Sequence, residues 1–354
     1  MRRCYFHAMP PRPFTAVSHL AVIGCLGLGV GACGGESKDS GSDLSGAPPT
    51  SFVELLRHVP DTAEVRGAPV WFGSFDRARN GSTSDSGEDD LQLVFDGSGG
   101  ALFSPRALRE LVEPGFAEAA GFDSRDVTVT LEYGILPDAV SVIAGDMSAE
   151  DMETALAASP GGESLDTRSE NGITWLSLGD DDTSLSDRSV LRPAGEPLRL
   201  AVGNGVLVWS RSAEVTSAST AAASGDVASL ADDAGYVGVA IALDAAAVHT
   251  AIVVAPRNGE SWALAGLGEA FEDSVVTVTI ALHYADAASA TAAAEALRAH
   301  VLTADMANTG EPWADRIQVT DTVVQGTTLV VTIAGASPGF AVDTIMRVEN
   351  LLQF

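Results

Sequence analysis

The chain has 354 residues, with 48 acidic against 20 basic side chains and a formal net charge of −28. A field of that sign repels nucleic acid and anionic lipid, so no nucleic-acid partner is predicted. Lys38 is the single lysine, and its absence from residues 51–354 excludes P-loop, protein-kinase, pyridoxal Schiff-base and Ser-x-x-Lys chemistries, which all need one.

The first element in chain order is a leader. Arg2, Arg3 and Arg12 form a basic front, no acidic residue precedes Glu36, and residues 14–32 are apolar apart from Thr15, Ser18 and His19. That is the layout of a signal peptide. Glycines at 24, 27, 29 and 31 weaken a permanent membrane helix and suit cleavage. The run closes on Val30-Gly31-Ala32-Cys33.

Residues 1–33 resemble the signal peptide and lipobox of bacterial lipoproteins, with valine in place of the commoner leucine three positions before the cysteine. The resemblance implies cleavage between Ala32 and Cys33, acylation of Cys33, and an extracytoplasmic chain anchored to a bacterial membrane. Cys25, after Val22-Ile23-Gly24, is a second match, but cleavage there would leave an apolar 26–32 segment on the mature chain. Two or more acyl chains hold a protein stably where one holds it only marginally, so Cys33 is expected to be a lasting membrane partner. Cys4 and Cys25 leave with the leader, so no intramolecular disulfide or cysteine metal site is expected.

Residues 33–50 form a polar tether, GGESKDSGSDLSGAPPT after the cysteine, with a mean reach of about 20–25 Å. Loss of the leader arginines makes the remainder three charges more negative. A solubilising acidic surface, or one adapted to salt, explains that balance without a cationic ligand.

The rest reads as two units, 51–225 and 226–354. Ser51 opens a short helix that Pro60 ends, 70–72 is a strand, and 80–90 is a polar loop. A strand at 91–95 is followed by a helix with Ser104 as cap and Pro105 in its first turn, carrying Leu108, Leu111 and Val112 on one face. Strands follow at 127–131 and 139–144, joined by a turn with Pro137 and Asp138, and then a helix from Ser148 that buries Met152 and Leu156. Residues 173–178 form a strand, 198–210 a hairpin turning at Asn204-Gly205, and 213–223 a helix.

The second unit repeats this order. Residues 236–248 send mixed signals and are read as helix. Strands at 251–254 and 275–282 precede an alanine-rich helix over 287–302 with Ala290, Ala294, Leu297 and Val301 on one stripe. A hairpin of 317–324 and 328–333 turns near Gln325-Gly326, and Ser337-Pro338 caps a last helix burying Ala341, Ile345, Val348 and Leu352. The expected fold class is α+β: two similar units of antiparallel sheet, each with helices packed on one face, related by a weak internal duplication.

Several short motifs carry residue types that chemistry uses. Asp96-Gly97-Ser98-Gly99-Gly100 follows a strand as the metal loop of von Willebrand factor A-like domains does, yet Gly100 stands where that loop needs serine, and a glycine-rich turn explains it. Asp180, Asp181 and Asp182 offer carboxylates, but an EF-hand register from Asp180 puts Leu185 at the required glycine and Leu191 at the required glutamate. They are poor candidates, and no metal site and no cofactor are predicted.

Gly259-Glu260-Ser261-Trp262-Ala263 resembles a nucleophile elbow without its last glycine, and His283 or His300 would have to serve as base. The elbow serine should sit at a strand end, whereas 256–260 intervene here. His58 and His249 complete the histidines beyond the leader, and none pairs at metal-ligand spacing. Trp71, Trp175, Trp209, Trp262 and Trp313 are scattered as core residues would be. The expected function is non-catalytic binding or scaffolding at the envelope, with a possible protein partner there. A solute-binding lipoprotein of a transporter is the alternative, and an envelope hydrolase the second.

Overall fold

Period-two alternation of branched and polar residues marks some of the strands, and β2 (Val127–Tyr133) is the clearest case. The computed structural model describes residues 47–81, 111, 113–135, 137–180, 183, 185–256, 260–272, 275–346 and 350–354. The leader with Ala32 and Cys33, most of the tether, the 91–95 strand, the 96–100 turn, the helix begun at Ser104-Pro105, and Asp181 and Asp182 lie outside the described residues.

Strand β1 (Val70–Ser74) is followed by β2 and β3 (Val140–Gly145), then β4 (Asp166–Glu170), β5 (Ile173–Leu178), β6 (Leu198–Gly203) and β7 (Val206–Ser210). The later strands are β8 (Thr250–Val254), β9 (Leu264–Glu272), β10 (Val275–His283), β11 (Gln318–Gln325) and β12 (Thr328–Ala334). All twelve join one sheet, in the order β11-β12-β10-β9-β8-β1-β2-β3-β7-β6-β5-β4. Every pairing is antiparallel, including the central β1–β8 contact with Val70 opposite Val253. The strands of the two expected units therefore share a single sheet.

Among the described residues the helices are α1 (Phe52–Leu55), α2 (Ala63–Arg66), α3 (Phe75–Gly81), α4 (Phe116–Ala120), α5 (Ala149–Ala158), α6 (Ala213–Ser224), α7 (Ala234–Ala245), α8 (Ala287–Thr303) and α9 (Phe340–Met346). They pack on both faces, which corrects the one-face expectation. Val142 and Val208 join a core with Leu55 of α1 and Val239 and Leu243 of α7. Their neighbours Ile143 and Leu207 point the other way, into a core with Met152 and Leu156 of α5. Ile280 and Val331 share that opposite face with Leu297 of α8 and Ile345 of α9. Successive strand residues face opposite sides, so a sheet whose two faces are both apolar requires cover on both.

Local signals behave as the residues dictate. Ser51, Ser148, Ser212 and Asp286 each cap a helix by accepting a backbone N–H. Asn204 (φ 50°) and Gly205 (φ 69°) take the left-handed conformation that a tight β6–β7 hairpin needs. Residues 236–248, mixed in propensity, contribute to α7 because Tyr236, Val239, Ala240 and Leu243 bury one face.

Candidate binding cavities beside helix α6

Helix α6 is built almost entirely of small residues, AEVTSASTAAAS. Ser212 caps its start, accepting the Val215 N–H at 3.4 Å, and Gly225 ends it in the left-handed conformation. The residues it buries are Thr216, Ser219 and Ala222. Polar contacts hold it down: the Ser210 and Thr216 hydroxyls lie 2.9 Å apart, and Ser219 Oγ donates to the His58 carbonyl at 2.7 Å. Side chains this small leave room on either flank of the helix.

The smaller cavity, about 270 Å³, lies between α6, the 3-10 turn Leu56–His58 and strands β5 to β7, with His58, Ile173, Val206, Val208 and Ala223 on its walls. Burial, with the Arg57 charge adding to it, lowers the His58 pKa to about 4, so its imidazole is neutral. His58 Nδ1 is buried with no hydrogen-bond partner among the described residues. The larger cavity, about 710 Å³, lies between α6, α2 and the β2–β3 turn. Val65, Ala68, Tyr133, Ile135, Val215 and Ala218 supply apolar wall, while Glu64, Asp138 and Glu214 bring carboxylates to it from three different elements. Its volume falls in the range of small-molecule sites, and it pairs apolar wall with a few polar groups as such sites do.

Arg66 fixes α2 beside this cavity. It pairs with Asp61 at 2.5 Å and with Asp233, the N-cap of α7, at 2.8 Å, and its guanidinium sits 5.8 Å from the Tyr236 ring. The hydroxyl of Tyr133, at the cavity wall, is fully buried and makes no hydrogen bond among the described residues. Burial raises its pKa and Ser219 opposes that rise, but the Ser219 hydroxyl is directed to His58.

Of the residues singled out by sequence, His58 lines the smaller cavity, while the described acidic, serine and other histidine candidates line neither. Asp180 is exposed two residues beyond β5, and among the described residues no group of three or more His, Cys, Asp or Glu side chains is placed to hold a metal ion. Ser261 precedes β9 instead of closing a strand, and Gly259 of its motif lies outside the described residues. His283 ends β10, with Nδ1 3.3 Å from the Thr327 hydroxyl and 3.5 Å from that of Thr328. His300, on α8, places its ring 6.3 Å from Phe354. Trp209, Trp262 and Trp313 are buried and Trp71 and Trp175 half-buried.

Sequence reading missed both cavities. The available signal was a helix at 213–223 with almost nothing large to bury, set beside strongly apolar strands. Among the described residues, no helix is long and apolar enough to cross a membrane.

No family model matches the chain, and no curated protein matches its sequence. Among solved structures it is similar to crystal forms III, IV and I of TP0453, at 9% identity, with TM-scores of 0.39, 0.39 and 0.38. These cover 82%, 79% and 82% of this chain and 96%, 92% and 96% of that one. A likeness of that degree bears on neither mechanism nor ligand.

Proposed function

We propose that this is a lipid-anchored, extracytoplasmic binding protein that works without catalysis, carried on Cys33 and taking a small ligand beside α6. The observation that carries the reading is the 710 Å³ cavity, with its apolar wall, beside a helix held by few large contacts. The lipobox supports the address, and the cavity favours small-ligand capture over scaffolding. Extracting the full-length protein from its own envelope and weighing it by native mass spectrometry tests the binding. A bound mass is expected, and it should be absent when Ala218→Trp fills the cavity. A bare chain in both samples ends this reading. Anchoring is tested separately with Cys33→Ser, which should move the protein from the membrane to the soluble fraction; equal partition of the two forms removes lipidation as the anchor.

The duplication, with halves 51–225 and 226–354, is also proposed. Its support is the order of elements. In each half a face-covering helix precedes a three-strand meander, β1-β2-β3 or β8-β9-β10. A helix on the opposite face follows, α5 or α8. The chain then returns so that β7 pairs with β3 and β12 with β10. The hairpin β4–β5 is extra in the first half. Rotating one half onto the other about an axis between β1 and β8 should bring α5 onto α8, and a misfit there ends the inference.

A further inference from the structure

Resting on the binding reading above, we infer that the larger cavity selects a hydrophobic organic cation, a protonated amine or quaternary nitrogen carried on an apolar body. The walls divide by chemistry. Val65, Ala68, Tyr133, Val215 and Ala218 are buried or half-buried and offer carbon surface, while Glu64, Asp138 and Glu214 are exposed. The three carboxylates come from α2, the β2–β3 turn and the first turn of α6, so negative charge reaches the cavity from separate elements. No arginine, lysine or histidine is among the described lining residues. The described ion pairs do not include Glu64, Asp138 or Glu214.

The Glu64 carboxylate is placed to stay charged. The Glu64 carboxyl is held below its ordinary value by its own backbone N–H and then by the Thr62 hydroxyl. Elsewhere arginines neutralise the acids they meet, as Arg66 does for Asp61 and Asp233 and Arg211 for Glu196. Here the complement is left to the ligand. An anion entering the same wall would meet three like charges and no donor of positive charge, and the net charge of −28 would repel it on approach.

The test uses the chain purified without its leader and three probes of comparable size: rhodamine 6G as the cation, fluorescein as the anion and Nile red as the neutral body. Fluorescence polarisation is expected to show saturable rhodamine binding about tenfold or more tighter than fluorescein, weakening as salt rises. Glu64→Gln, Asp138→Asn and Glu214→Gln combined should erase that preference and leave Nile red unaffected. Ala218→Trp from α6, and Val65→Trp from α2 as a second variant, should abolish uptake of rhodamine and Nile red while circular dichroism reports an intact fold. Nile red blocked by the tryptophans with no preference for rhodamine overturns the cation assignment and leaves the binding reading standing. Rhodamine binding unchanged in both tryptophan variants places the probe on the general acidic surface and overturns the inference. Failure of all three probes to bind overturns the inference and the reading beneath it.

Discussion

Gly266 and Gly268 sit in the middle of β9, where glycine weakens a strand unless something needs the space. A Cβ at Gly266 would collide with Val239 Cγ1 and come within 3.0 Å of Leu243 Cδ1; at Gly268 it would meet Val248 Cγ1 at 2.8 Å. These glycines let α7 lie directly on the sheet. Gly266→Ala is therefore expected to destabilise the protein by about 1–3 kcal/mol, as overpacking does. Combining it with Val239→Ala should cost less than the sum of the two changes in denaturant titrations, because Val239 supplies the nearest obstructing atom. Strict additivity would show that the obstruction is not the cause. The same glycines explain why β9 escapes a reading by composition: LAGLGEAFE carries the signals of a loop, and the reason for them lies in a helix some 25 residues earlier.

At the scale of elements, α6 and α7 differ in what holds them. Each is a 12-residue helix on the same face of the sheet. Helix α7 buries Tyr236, Val239 and Leu243, whereas α6 buries two hydroxyl residues and an alanine. With about 1.5–3 kcal/mol for each large apolar side chain, local opening of α6 should need several kcal/mol less than opening of α7. Native-state hydrogen exchange is expected to show α6 amides exchanging well before those of α7, and equal protection would contradict it.

Helices and hairpins with local signals were legible: the serine caps, Asn204-Gly205 and the alanine stripe of α8 follow from neighbours in sequence. Strand β4, DTRSE, was not, because all five residues are exposed at the sheet edge and no alternation marks them. Two-faced packing was missed because apolar residues on both faces of a strand blur the period that would have announced it. The cavities were out of reach for a related reason. Small residues in α6 read as good helix formers, and only the distance to α2 and the β2–β3 turn turns their size into volume.

At the scale of the molecule, three buried groups contribute to the pH response and pull in opposite directions. Glu269 is fully buried on β9, and its carboxylate accepts the Gly339 N–H at 2.9 Å and the Ala341 N–H at 2.7 Å at the start of α9. Burial raises its pKa from 4.5 to about 7; the two backbone donors oppose that rise, and Asp343 adds to it. A group that holds its proton more tightly when folded stabilises the protein at low pH and loses that contribution as pH rises from about 4.5 to about 7.

His58 and His249 act in reverse. Burial lowers each from 6.5 to about 4, with the Arg57 and Arg77 charges respectively adding to it. The His249 Nδ1 accepts the Phe271 N–H at 3.1 Å, a bond that protonation would destroy. The unfolded chain binds these protons first, so the histidine contribution is lost as pH falls from about 6.5 to about 4.

The general field of so acidic a chain also changes over this range, so the informative quantity is a difference between variants. Glu269→Gln keeps an acceptor for α9 and removes the titration. Relative to this variant, the wild type should lose stability steadily between about pH 4.5 and 7, by a total on the order of 3 kcal/mol, and then level off. Urea titrations at closely spaced pH values would measure that difference. A flat difference across the window would mean that Glu269 is not the group that couples α9 to pH.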